Sequence, residues 1–322
     1  MGTTSLTLAR PQALAERADI RDLLSAWHAA LDLRVSSGEM SDATRATYRA
    51  GMDRFVAWLD AHGAAEVSAD TLREWLAGLR RKSFKPGAIN TWLAGVRAFF
   101  AWGVGMYHLP YNPCEGVRGA QRIGTSRKHK RAALTDAEVR RVLALPSDDD
   151  AGQRDKSILA AMLYTAARTI ELHRAELSDL RTEAGRLVLD VQGKGRGESD
   201  DVIVFAHPDA ESAMHDWLAA RGDKSGALFV SLSRRSSGAR LSLRAMRGIV
   251  KGYLRAAGVR GEGKTTHSLR HTAITSAVKH GAPVQKAQAM ARHANISTTM
   301  IYYHETDRVE NPAEAFIDYS KG

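Results

Sequence analysis

The sequence predicts a mainly α-helical protein in two parts: an N-terminal helical bundle, then a mostly helical domain into which a small β-sheet is set. Three observations carry this. Apolar residues recur at helical spacing through the first hundred positions, with no alternating stretch between them. From Tyr111 to Ala133 that periodicity stops and charge of one sign accumulates. Helical spacing then returns, interrupted by alternation at Leu187, Leu189 and Val191 and again from Val202 to Phe205. A length of 322 residues agrees with two domains.

The elements follow in order. After an N-terminal extension, 1–17, a first helix is predicted from Ala18 to Leu33. A second opens near Ser41, with Tyr48, Met52, Phe55, Val56 and Leu59 on one face. Leu72, Trp75, Leu76 and Leu79 mark a third. After the break at Lys85-Pro86-Gly87, Ile89, Trp92, Leu93, Val96, Phe99 and Phe100 mark a fourth. No strand signal interrupts them, so 18–111 reads as four or five helices whose aromatic stripes form the core. Residues 112–133 read as a basic linker holding Arg118, Arg122, Arg127, Lys128, Lys130 and Arg131, with no acid between Gly116 and Ala133. A solvated tether is the plainer reading; a segment lying along a phosphate backbone also fits.

The second domain, 134–322, opens with a capping box, Thr135 and Glu138, before Val139, Val142 and Leu143. A helix with Ile158, Leu159, Met162 and Leu163 follows. The alternating strands flank Gly193-Lys194-Gly195-Arg196-Gly197, which places a lysine at the tip of a turn. Further helices are predicted over 210–220, 243–254, 268–279 and 284–292.

Composition narrows the function. Lys plus Arg number 46 against 36 for Asp plus Glu, a net charge of +10, and the isoelectric point is near 9.8. A basic chain of ordinary apolar content points to nucleic acid as partner. The longest stretch free of charged residues, Ala98 to Cys114, is too short and too polar for a bilayer span. No signal peptide is visible, and cytoplasmic location is the expectation. One cysteine, Cys114, excludes an intramolecular disulfide framework and a multi-cysteine zinc site. His267 and His271 have the spacing of two metal ligands, but Ser268 stands where a zinc protease needs glutamate, and Arg270 would set a fixed cation beside the metal. No Gly-x-Ser-x-Gly elbow and no phosphate-binding Gly-rich loop is present.

Another constellation fits better. His267 and Arg270, three apart near a helix start, can face one small anion. Arg168 follows an apolar helix, with Glu171 three residues on. Arg292-His293 precedes Tyr302 by nine residues from the histidine, through Ser297-Thr298-Thr299.

Taken together, Thr165-Ala166-Ala167-Arg168-Thr169-Ile170-Glu171-Leu172, Gly193-Lys194-Gly195, His267-Ser268-Leu269-Arg270-His271-Thr272 and Arg292-His293 through Tyr302 resemble the boxes of the tyrosine recombinases of the phage-integrase family. The resemblance covers the whole second domain, and more loosely the first, which resembles the family's core-binding domain. It implies a tyrosine recombinase catalytic fold and a site-specific recombinase, similar to the two-domain Xer and Cre groups. Tyr302 would attack the scissile phosphate and form a 3′-phosphotyrosyl link, so neither metal nor ATP, nor any other cofactor, is needed. Arg168 and Arg270 would clamp the non-bridging oxygens. His267 and His293 would hydrogen-bond the transition state, His267 being also a candidate to take the tyrosine proton. Lys194 would protonate the departing 5′-hydroxyl, and Glu171 would orient its neighbours.

The chain departs from the family pattern at two places. Ala166-Ala167-Arg168 stands where Gly-Leu-Arg is common, and Ala291-Arg292-His293 where Leu-Gly-His is common; both changes read as matters of backbone packing. Tyr303 follows Tyr302, and the spacing from His293 selects Tyr302. The tail after it, with Pro312, Phe316 and Ile317, suggests a short helix that in this family docks on a neighbouring protomer within a tetramer on two DNA sites. The short N-terminal extension argues against an additional arm-binding domain and for short inverted repeats as the target. The rival readings are a non-cleaving DNA-binding protein of this fold, and a type IB topoisomerase or hairpin resolvase using the same chemistry.

Overall fold

Ser41 starts the longest helix by accepting a hydrogen bond from the Thr44 amide at 3.2 Å, and Gly63, left-handed at φ 59°, ends it. In the computed structural model, which describes residues 7–8, 20–64, 66–106, 108–120, 133–191, 201–259 and 264–306, the chain forms two compact units, 1–124 and 125–322.

The described part of the first unit contains α1 (Ile20–Ser36), α2 (Asp42–His62), α3 (Ala69–Arg81) and α4 (Pro86–Gly105). Ser68 and Thr71 form the capping box of α3, and Pro86 opens α4. Helices α2 and α4 cross in contact of backbone on backbone. A Cβ at Gly51 would collide with the Trp92 carbonyl, and one at Gly95 with the Tyr48 carbonyl, so glycine is required at both. The core beside this crossing is aromatic. Phe55 lies 5.0 Å from Trp75, and Trp27 meets Phe99 edge-on at 5.4 Å, ring centre to ring centre.

Three differences from the sequence reading stand out here. Thr7–Leu8 (β1) and Glu66–Val67 (β2) form a two-residue parallel pair, too short to leave an alternating signal. Trp92 is half-buried, lying under the Arg54 guanidinium at 4.1 Å instead of filling the core. Cys114, Val117 and Ala120 are buried in this unit, and Asn90 bonds both the amide and the carbonyl of Ala120. The segment to Ala120 therefore packs on the first unit, whereas charge alone placed it in the linker.

The second unit is mainly helical: α5 (Asp136–Leu143), α6 (Asp150–Thr165), α7 (Thr169–Arg174), α8 (Pro208–Arg221), α9 (Leu243–Ala256), α10 (Thr266–Lys279), α11 (Val284–Ala291) and α12 (Ile296–Thr306). The predicted capping box is present, with the Thr135 amide donating to Glu138 at 2.9 Å. Between α7 and α8 lies an antiparallel sheet in the order β3 (Leu180–Glu183), β4 (Arg186–Asp190), β5 (Val202–Val204). The sequence reading found the last two strands and missed β3. That edge strand has one partly buried leucine followed by three exposed polar residues, with Arg181 paired to Asp190 and Glu183, so it carries no apolar alternation. The buried core joins α6 to α8 and the sheet through Ile158, Met162, Leu189, Phe205 and Trp217. A smaller cluster, Ala166, Ala273, Ile274, Val278, Ala287, Ala291 and Tyr302, unites the end of α6 with α10, α11 and α12. The candidate site lies on this cluster.

Candidate active site

Helix α6 ends at Ala166, which is left-handed at φ 54°. This reverses the chain and makes Arg168 the residue that caps α7. The Arg168 amide donates to Glu171 Oε2 at 2.7 Å and its Nη1 to Oε1 at 2.6 Å. Its Nη2 donates to the Arg292 carbonyl at 3.0 Å. These take two of the five guanidinium N–H donors; the rest are not taken by any described residue, and the side chain is 29% exposed. Arg168 thus has donors to offer a ligand.

Arg270 comes from α10. Its side chain crosses the small cluster, Nη1 donating to the Ala166 carbonyl and Nη2 to the Ala291 carbonyl. It is buried, and burial, with Arg168 and Arg292 nearby, pushes its pKa down to about 9. A bound anion would relieve that desolvation and repulsion. His267, one turn earlier on the same helix, is exposed in the first turn.

The third contribution comes from α11 and α12. Helix α11 ends at Arg292, left-handed at φ 50°. His293 follows, its Nδ1 2.9 Å from the hydroxyl of buried Thr299 on α12. Tyr302, also on α12, is only 6% exposed. Its ring lies 6.4 Å from that of His293 and 5.0 Å from that of His271. Tyr303 turns elsewhere and donates its hydroxyl to the Ala282 carbonyl.

The fold therefore gathers Arg168, Glu171, Arg270, His293 and Tyr302 on one cluster, from three stretches of chain. Arg118 is exposed on the first unit. Lys194, Arg122, Arg127, Lys128, Lys130 and Arg131, and the tail from 307, lie outside the described residues.

Sequence reasoning passed over four features. Arg292, read as a matter of backbone packing, instead has its side chain built into the site: Nη2 meets Glu171 Oε2 at 2.8 Å and Nε meets Oε1 at 3.2 Å. His271 packs on Tyr302. Both departures from the family's glycines, Ala166 and Arg292, fall at left-handed residues, which is why glycine suits those places. Finally, Arg244, Arg247, Lys251 and Arg255 lie exposed along one face of α9, which contains no acid. Their spacing was legible and went unused.

Two arginines, a histidine and a tyrosine brought together in this way could bind an anion and offer it a nucleophile. Comparison with known proteins gives the family. Residues 132–308 match the phage integrase family and 32–104 the phage integrase N-terminal SAM-like domain. The chain belongs to the phage integrase family and is a tyrosine-type site-specific recombinase. It is 28% identical to the tyrosine recombinase XerD of Pseudomonas putida, over 82% of this chain and 87% of that protein. It is 30% identical to the tyrosine recombinase XerA of Pyrococcus furiosus, over 76% and 78%. Among solved structures, the XerH recombinase bound to a palindromic difH substrate after cleavage superposes with a TM-score of 0.66 at 17% identity, over 84% of this chain and 79% of that one. A lambda integrase tetramer on a Holliday junction gives 0.64 at 16%, over 87% and 76%.

Proposed function

We propose that this recombinase cleaves and rejoins duplex DNA through a 3′-phosphotyrosyl link on Tyr302 and exchanges strands through a Holliday junction, without metal or ATP. The observation that carries this is the meeting of Arg168, Arg270, His293 and Tyr302 on one cluster. Two guanidinium groups offset the charge of the attacked phosphate. Tyr302 supplies the nucleophile, keeping the bond energy in the phosphotyrosine for rejoining. His293 and His267 supply hydrogen bonds to the transition state, and Lys194 the proton for the departing 5′-hydroxyl. Glu171 holds Arg168 in place. Two domains, the first extending through Ala120, fit a clamp on the duplex, and the basic face of α9 supports DNA contact by the second unit. Four protomers on two sites with short inverted repeats, joined through the tail after 306, complete the reading, in a cytoplasmic setting.

The test is capture of DNA from cells in strong denaturant, with and without a crosslinker. DNA retained without crosslinker, and lost in Tyr302→Phe, establishes covalent chemistry and yields the target site. DNA retained only with crosslinker, together with no adduct on a suicide duplex of that site, favours the non-cleaving rival. Adduct formation should persist in EDTA; loss restored by magnesium overturns the metal-free mechanism. Relaxation of supercoils without need of a second site favours the topoisomerase rival.

A further inference from the structure

Arg292 stands at a backbone position that disfavours it. Its φ of 50° lies in the left-handed region, which is strained for a residue with a Cβ. Strain of this kind persists where the surroundings hold it in place, and it gathers at functional sites. The surroundings here are specific. The Arg292 side chain is 3% exposed, as is that of Glu171, to which it presents two N–H groups. Nη1 donates to the Met290 carbonyl at 2.7 Å and Nη2 also to the Ala166 carbonyl at 3.2 Å.

Two of these partners, Glu171 and the Ala166 carbonyl, are shared with the two arginines assigned to the phosphate. Glu171 binds Arg168 as well as Arg292, and the Ala166 carbonyl receives Arg270 as well as Arg292. The Arg292 carbonyl itself accepts from Arg168, and the adjacent Ala291 carbonyl from Arg270. One residue thus touches every acceptor that sets the place of the other two guanidinium groups, except that of Ala291, its own neighbour. It also changes the charge. Glu171 facing Arg168 alone would neutralise it; with Arg292 present, three cations surround one carboxylate and positive charge is left for the ligand.

We infer that Arg292 is a positioning residue that occupies Glu171 and ties Arg168 and Arg270 into one unit, leaving the remaining Arg168 donors and net positive charge for the DNA phosphate. This rests on the recombinase reading above. Arg292 need not touch DNA to do it.

Arg292→Gly isolates the side chain, because glycine adopts the left-handed backbone without strain. In the full chain, single-turnover cleavage of a suicide duplex carrying the captured site should fall about a hundredfold, the scale of small misplacements near a reacting centre. The dissociation constant for the same duplex at fixed salt should stay within about threefold, since binding energy is spread over many phosphates. Adding Glu171→Gln to Arg292→Gly removes the carboxylate that would otherwise neutralise Arg168 and should restore about tenfold of the loss. Arg292→Lys, which keeps charge without the fork, should cleave more slowly than the wild type. Cleavage by Arg292→Gly within about twofold of wild type overturns the inference. So does a parallel loss of cleavage and affinity with no recovery in the double variant, which marks a role in folding alone. Should Arg292→Gly not fold, wild-type rates in Arg292→Lys overturn it and a selective cleavage loss supports it. A wild-type chain that forms no adduct overturns the recombinase reading itself, and is seen before any variant is compared.

Discussion

Arg270 on α10 donates to the carbonyl of Ala166, which precedes it by 104 residues. Ala166 is the left-handed residue that ends α6, beyond the helix's own hydrogen-bond ladder. The same carbonyl receives Arg292, so cations from two boxes converge on the backbone of a third. Crowding of this kind, among groups that repel, is tolerable where an anion is to be bound.

Anion binding should therefore stabilise the second unit. At ten times its dissociation constant, inorganic phosphate contributes about 1.4 kcal/mol, roughly 3–6 °C in melting temperature for a domain of this size. Arg270→Gln should abolish the shift. Scanning calorimetry with and without phosphate measures it, and an equal shift in both proteins contradicts a site built on Arg270.

The two tyrosines should separate cleanly. Tyr302→Phe should bind DNA and form no covalent adduct. Tyr303→Phe should keep adduct formation and lose about 1 kcal/mol of stability, the hydrogen bond to the Ala282 carbonyl. Denaturing gels of a suicide substrate, with urea melts, distinguish them; adduct lost only in Tyr303→Phe reverses the assignment.

Glu171 should give the second unit an acid-sensitive component. Burial by itself raises its carboxyl, but Arg292 and Arg168 outweigh this and hold it below the ordinary value of 4.5. The native state then binds its proton less readily than the unfolded chain does. Its contribution is present above about pH 4.5 and is lost as pH falls through the lowered native value. Glu171→Gln should flatten the stability profile below pH 4.5 in urea titrations; an unchanged acid slope counts against it.

Charge on α9 should appear in the salt dependence of DNA binding. Removing Arg247 or Lys251 should lower the slope of log affinity against log salt by about 1 each, if each meets a phosphate. Slopes equal to the wild-type value place that face away from DNA.

The helix crossing in the first unit should not admit a methyl group. Gly51→Ala or Gly95→Ala would force α2 from α4 and cost roughly 1–3 kcal/mol, read as earlier unfolding of the first unit. Gly87→Ala, where a Cβ meets nothing within 4 Å, is the control.

Much of this was legible in the chain. Most helices with a buried face appeared within two residues of their ends, because burial of Met52, Phe55 and Leu59, or of Ile158 and Met162, imposes a spacing on sequence; α1 runs three residues past its expected end, and the short α7 and α12 were not read as helices. The candidate chemical residues stood out for a different reason: their order and spacing resemble the boxes of the family. What escaped had no periodic trace: β3 is a mostly exposed polar edge, β1 and β2 are two residues long, and the burial of Cys114 and Val117 depends on helices distant in sequence.

The sequence by itself determined the helical architecture and the basic character, and singled out the candidate reacting groups, since these follow from side-chain type and spacing. Only the tertiary structure decided that Tyr302 is enclosed while Tyr303 bonds a backbone carbonyl, and that Arg292 shares Glu171 with Arg168. Those are contacts across up to 121 residues. Their geometry depends on how α6, α10, α11 and α12 pack, and on two left-handed residues whose conformation no local pattern announces.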